Sequence, residues 1–218
     1  MKERGMIFNA EMARALLDGR KTQTRRIVKG TDGAVKFCKE WDINGEEIFV
    51  VLGEKDRTGM NPVLGAISCP FGAVGDRIWV RETFQGPLFD YDLMDSYCKD
   101  PTPFEKPEFC VYKADGVPAP EFYDADDELH CCWRPSIHMP RWASRILLEI
   151  TNVRVERLKS ISDGDAIREG CSTADMKSGD CVADVFARLW ASIYGSDSWN
   201  ANPWVWVIEL KRVEGGEA

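Results

Sequence analysis

The chain has 218 residues, 44% hydrophobic and 29% charged, with a net charge of −8. That length and mixture support a folded core of ordinary size and exclude a disordered tail protein. No run of about 18 apolar residues is present to span a membrane, and no chain-wide basic field supports long duplex DNA as a partner.

The opening residues, MKERGMIFNAEM, lack the apolar centre of a signal peptide, which predicts a cytoplasmic protein. Eight cysteines stand at positions 38, 69, 98, 110, 131, 132, 171 and 181, none of them in a CxxC pair. In a reducing compartment such scattered cysteines are expected to be small buried residues. Zinc would have to draw on Cys110, His130, Cys131, Cys132 and His138, whose spacing fits no zinc pattern, so neither metal nor cofactor is expected.

Asn9 predicts a helix cap, Met12, Ala15 and Leu16 an apolar stripe, and Gly19 a stop. The next stretch, GRKTQTRR (19–26), sets four cations around Thr22 and Thr24. A plain reading is a solvated helix exit, where cations favour the helix dipole. A reactive reading is also open: a threonine hydroxyl needs a base, and a lysine crowded by cations and buried can be that base. Lys21 and Thr24 converge if this segment is a turn and face opposite ways if it is a flat strand.

Residues 46–52 predict a strand. Residues 75–84 predict a turn and then a strand with Ile78, Val80 and Glu82 on one face and Trp79, Arg81 and Thr83 on the other. The Pro-, Asp- and Tyr-rich segment 85–130 predicts a surface excursion or lid with one short strand at 109–115. Its part from 86 on holds twelve acids, Asp124, Asp126 and Asp127 among them, against three lysines; that is −9 locally and +1 over the rest of the chain. A local anion site is therefore compatible with an acidic protein.

Residues 145–158 predict one long or two short strands, slipping by one residue near Thr151–Asn152 as at a bulge. Residues 160–170 predict a short helix with Ser162 and Asp165 in capping-box spacing and Gly170 as the stop. Residues 184–195 predict an amphipathic helix, and 203–213 a buried, apolar final strand. Few helices and several short strands predict an α+β chain, a small mixed β-barrel with helices at its mouths.

Three of these pieces, GRKTQT (19–24), GDRIWVRE (75–82) and DAIREG (165–170), resemble in sequence and order the ASCH domain of the PUA-like superfamily. With PSIHMPRWASRI (135–146) and NPWVWVIEL (202–210), the chain resembles the larger ASCH proteins of phages and prophages. The resemblance implies one domain over residues 1–218, a PUA-like barrel with surface insertions at 30–68 and 86–130. It further implies amidohydrolase chemistry on an acylated nucleoside such as N(4)-acetylcytidine, with Lys21, Thr24 and Glu169 as the catalytic set. Thr24 would attack the amide carbonyl after Lys21 takes its proton, and Glu169 would orient Lys21 or the leaving amine.

Arg20 and Arg26 would offer donors to the substrate or a developing oxyanion. Glu82 is a second acid, whose plain role is a buried ion pair with a base such as Arg26. A pyrimidine would stack on an aromatic such as Trp79, Phe84, Trp142, Trp199 or Trp204, with Asn200 and Asn202 as base-edge readers. The alternative is an RNA-binding or ribonuclease-like module, in which the basic segment meets phosphate.

Overall fold

The computed structural model describes residues 1–123 and 128–213; Asp124, Asp126 and Asp127 of the acidic stretch lie outside the described residues. In chain order the regular elements begin with β1 (Glu3–Ile7), α1 (Ala10–Leu17), β2 (Gln23–Ile27), β3 (Lys36–Trp41), β4 (Glu47–Leu52) and β5 (Val63–Ile67). They continue with β6 (Arg77–Arg81), β7 (Phe84–Gln85), α2 (Met94–Lys99), β8 (Val111–Tyr112), β9 (Glu121–Tyr123) and β10 (Leu129–Cys131). The last are β11 (Leu147–Arg157), α3 (Asp163–Arg168), α4 (Val182–Tyr194), α5 (Ser196–Ala201) and β12 (Trp204–Arg212). The chain is thus α+β, and among the described residues no sheet closes into a barrel.

Contacts divide the chain into two compact units. The first comprises Met1, Arg20–Asp76 and Glu149–Lys211. Here β12 lies between β11 and β2, and it runs antiparallel to β2 with Trp206 opposite Arg26 and Ile208 opposite Thr24. The expected insertion at 30–68 supplies a three-stranded antiparallel sheet, β3-β4-β5. Phe49 of β4 meets Trp206 edge-on at 5.0 Å. A second cluster joins Val205 and Val207 of β12 to Ala166 of α3 and to Val185, Phe186 and Trp190 of α4.

Local signals place the helices of this unit. The Ser162 hydroxyl accepts the Asp165 N–H at 3.1 Å, and the Asp165 carboxylate accepts back from Ser162. Gly170, at φ +97°, turns the chain out of α3 in the left-handed region that a side chain resists. In β11, Leu148, Ile150 and Val153 are the buried residues, so the inward phase slips between Ile150 and Val153 as the sequence predicts. The strand stays continuous across the slip.

The second unit is built from Lys2–Gly19 and Arg77–Leu148, with the described end of the chain from Arg212. β1 and β6 pair in parallel, and α1 is capped as expected, Asn9 Oδ1 accepting the Met12 N–H at 2.8 Å. On β6 and just beyond it, Ile78, Val80 and Glu82 are all buried, which matches the predicted face.

The excursion at 86–130 carries more structure than a bare lid: α2, two short strand pairings with β7–β8 and β9–β10, and buried Phe104, Tyr112 and Ala114. Its aromatic residues explain the difference. Phe89, Tyr97, Phe104 and Phe109 make ring contacts at 4.7–5.7 Å and give the segment a small core of its own.

The cysteines also differ from expectation. Cys171 is buried, while Cys98, Cys131, Cys132 and Cys181 are exposed. Of those exposed residues Cys98 lies in the excursion, and Cys131 and Cys132 directly follow it. Among the described residues no group of three or more His, Cys, Asp or Glu side chains is arranged to hold a metal.

Candidate active site

The basic segment is a strand, not a turn, from Gln23 onward. Pairing with β12 sets its two faces. Arg25 lies opposite Val207 and Ile27 opposite Val205, and these residues share the face packed against α3 and α4. Thr24 and Arg26 lie opposite Ile208 and Trp206, on the other face, where Trp206 meets Phe49 of β4.

Lys21 precedes the strand, so its direction is set by its partner. Its Nζ donates to Glu169 Oε2 at 2.7 Å and to the Glu169 carbonyl at 2.8 Å. Glu169 is the residue that ends α3. It is held there because the Thr22 N–H donates to the Arg168 carbonyl at 2.8 Å, stitching the approach to β2 onto the last turn of the helix.

Burial dominates the electrostatics. Lys21 and Glu169 are only 2% and 3% exposed. Loss of hydration pulls the Lys21 ammonium below the ordinary lysine value; the Glu169 carboxylate acts in the opposite direction, and Arg26 adds repulsion. The same burial pushes the nearby Cys171 thiol up to about 11, so it stays protonated at neutral pH.

Arg25 extends the pair into a network. Its Nη1 reaches Glu169 Oε1 at 3.2 Å, and its Nη2 lies 3.4 Å from both Glu156 and Asp165. Arg154 ties Glu156 at 2.6 Å to Gln23 at 3.1 Å and also bonds Glu209. Gln23, Arg154 and Glu156 went unmarked in the sequence. Arg154 and Glu156 are two apart in β11, and Gln23 and Arg25 are two apart in β2; that shared phase was the available signal.

The expected catalytic residues are therefore partly assembled. Lys21 and Glu169 are bonded, whereas the Thr24 hydroxyl, fully buried, has no hydrogen-bond partner. Arg20 donates to the Gly170 carbonyl at 3.2 Å, beside Glu169, and Arg26 donates to the Arg25 carbonyl.

The other expected binding residues have structural partners. Asn202 holds a left-handed conformation, φ +48°, with its Oδ1 accepting the Lys159 N–H at 2.8 Å. The Trp204 indole donates to the Ala34 carbonyl, and the Arg157 guanidinium lies 4.2 Å from its ring centre, covering a face that stacking would use. Trp79 and Glu82 belong to the second unit. Trp79 lies so close to Gly5 that a Cβ there would fall 2.6 Å from the ring. Glu82 makes the expected buried ion pair, with Arg145 as its partner rather than Arg26.

The arrangement is a buried lysine bonded to a buried carboxylate, screened from bulk water and next to a strand bearing an unpartnered hydroxyl. Comparison adds no precedent for it: no family model, no curated protein and no solved structure matches this chain.

Proposed function

We propose that this protein is an amidohydrolase of the ASCH type, with a PUA-like fold, that removes the acyl group from a modified nucleoside such as N(4)-acetylcytidine. The observation that carries this reading is the buried Lys21–Glu169 bond at 2.7 Å, one residue from a strand that holds the unpartnered Thr24 hydroxyl. A buried hydroxyl without a partner is costly to keep, by roughly 1–3 kcal/mol, and a reacting group justifies that cost.

In this reading substrate entry draws Lys21 Nζ off Glu169 Oε2 and around the start of β2 toward Thr24. Lys21, having released its ammonium proton to solvent, takes the Thr24 proton as Oγ1 bonds the acyl carbon. The C–N bond then breaks, the leaving amine takes the proton from Lys21, and the acyl group rests on Thr24 as an ester. Water hydrolyses that ester, releasing the carboxylic acid and restoring the hydroxyl. Arg26, on the same strand face as Thr24, would offer donors to the developing oxyanion.

The test is hydrolysis of N(4)-acetylcytidine by the full chain. Wild type should release cytidine, and Lys21→Ala, Thr24→Ala and Glu169→Ala should each lose about a hundredfold or more. An inactive wild type that instead binds single-stranded RNA with steep salt dependence would replace this reading with that of a phosphate-binding module.

A further inference from the structure

A lysine paired with one buried carboxylate makes a poor base. Giving up its proton would strand a negative charge away from water, at a cost of several kcal/mol. Lys21 and Glu169 are both buried, and Glu169 opposes the loss of the Lys21 proton that burial favours. The structure contains a way around this difficulty. Glu169 divides its two oxygens, Oε2 to Lys21 at 2.7 Å and Oε1 to Arg25 at 3.2 Å.

Arg25 is itself buried, with side-chain exposure of 0%. Guanidinium keeps its charge at every working pH, whereas a lysine ammonium does not. We infer that Arg25 is the permanent countercharge of Glu169 and a positioning residue for Lys21, which it frees to act as the base. This inference rests on the amidohydrolase reading for its catalytic meaning, but the electrostatic relation stands by itself.

The remaining charges around the site agree with that division of labour. Lys21 is faced by Glu169 and Cys171 from the end of α3 and the loop beyond it, and by Arg26 from β2, while Arg25 reaches it through their shared partner Glu169. Arg188 of α4 and Asp175 act on Cys171, which burial keeps neutral. Arg25 has further carboxylates in Asp165 of α3 and Glu156 of β11, both at 3.4 Å, while Arg154 and Arg168 in turn hold Asp165. Arg25 therefore stays anchored when Lys21 leaves Glu169. The π face of Phe186 on α4, 5.8 Å from the guanidinium, lies on the same side.

The experiment is a pH titration of the Lys21 side chain, followed by NMR in protein labelled with ¹³C- and ¹⁵N-lysine and assigned by the signal lost in Lys21→Arg. Arg25→Met should raise the Lys21 midpoint by about one pH unit or more, because Glu169 then has Lys21 alone as its counterion. Arg25→Gln keeps a donor to Glu169 without the charge and should give a similar rise, which covers the case where Arg25→Met does not fold. Arg25→Lys should hold the midpoint near that of wild type.

A midpoint that is unchanged or lower in the neutral variants overturns the inference. In parallel, the acid limb of N(4)-acetylcytidine hydrolysis should move to higher pH with the midpoint. A wild type that leaves acetylcytidine intact while the midpoint still rises would reject the substrate reading and retain the role of Arg25. Hydrolysis with a midpoint that does not move would do the reverse.

Discussion

Arg145 grips Glu82 through two hydrogen bonds, Nε to Oε1 at 3.0 Å and Nη2 to Oε2 at 3.2 Å. The same guanidinium lies 3.8 Å from the centre of the Tyr112 ring and bonds Asp115 at 2.7 Å, which joins the end of β6 to the excursion within the second unit. Burial raises the Glu82 carboxyl above its usual range, and Arg145 opposes that rise. Truncating Glu82→Ala leaves Arg145 only the half-exposed Asp115. The loss should be about 3 kcal/mol, read from the urea midpoint at pH 7. A change under about 1 kcal/mol would mean that the pair does not hold this part of the fold.

Thr24→Val separates stability from chemistry. Valine matches the shape of threonine and removes a buried hydroxyl that has no partner. The variant should fold with unchanged or higher stability, by up to about 1 kcal/mol. If Thr24 is the nucleophile, hydrolysis should fall by about a hundredfold or more in the same protein. Retained activity would assign the attack to water instead.

Asp165 makes acid stability predictable. Burial alone would raise its carboxyl, but hydrogen bonds from Arg168 and Ser162 and the charge of Arg25 bring it down from 3.8 to about 2. A carboxyl depressed in the folded state stabilises above its unfolded value, and that contribution fades as pH falls through the folded one. Asp165→Asn should therefore cost about 2 kcal/mol at pH 7. The gap to wild type should close between pH 4 and about 2 in denaturation curves taken across that range.

Asn202 offers a check on substrate contacts. Its amide oxygen is taken up by the Lys159 N–H, and its backbone is left-handed. Asn202→Gly suits the conformation and loses only the bond, so about 1 kcal/mol of stability should go. Asn202→Ala adds backbone strain and should cost roughly 1 kcal/mol more. Neither should change the KM for acetylcytidine; a severalfold rise in both variants would restore Asn202 as a base-edge reader.

Much of the architecture was legible in the chain alone, wherever its cause lies within a few residues. Asn9 and Ser162 cap the helices they were expected to cap, Gly170 ends α3, and the alternation of Ile78, Val80 and Glu82 marks a buried face. Those signals act through a neighbouring N–H, a sterically permitted φ or a period of two, and none needs a distant partner. The expected ion pair of Glu82 also formed, because a carboxylate in an apolar strand must find a base; which base it found depended on the loop that brings Arg145 near.

Distant partners decided the rest. Whether GRKTQTRR turned or extended was open locally, and it was settled by β12, some 180 residues away, whose Val205–Glu209 backbone pairs with Gln23–Ile27. That pairing puts Arg25 toward α3 and Thr24 toward β4, a separation that spacing along the chain could not assign. It also brings Lys21 to a carboxylate 148 positions later. Sequence determined α1, α3 and α4, the strands β4, β6, β11 and β12, and the residue types that carry proton chemistry. Only tertiary packing decided which charges meet, because the strength of a buried ion pair depends on distance and lost hydration, and neither is a property of the chain until it folds.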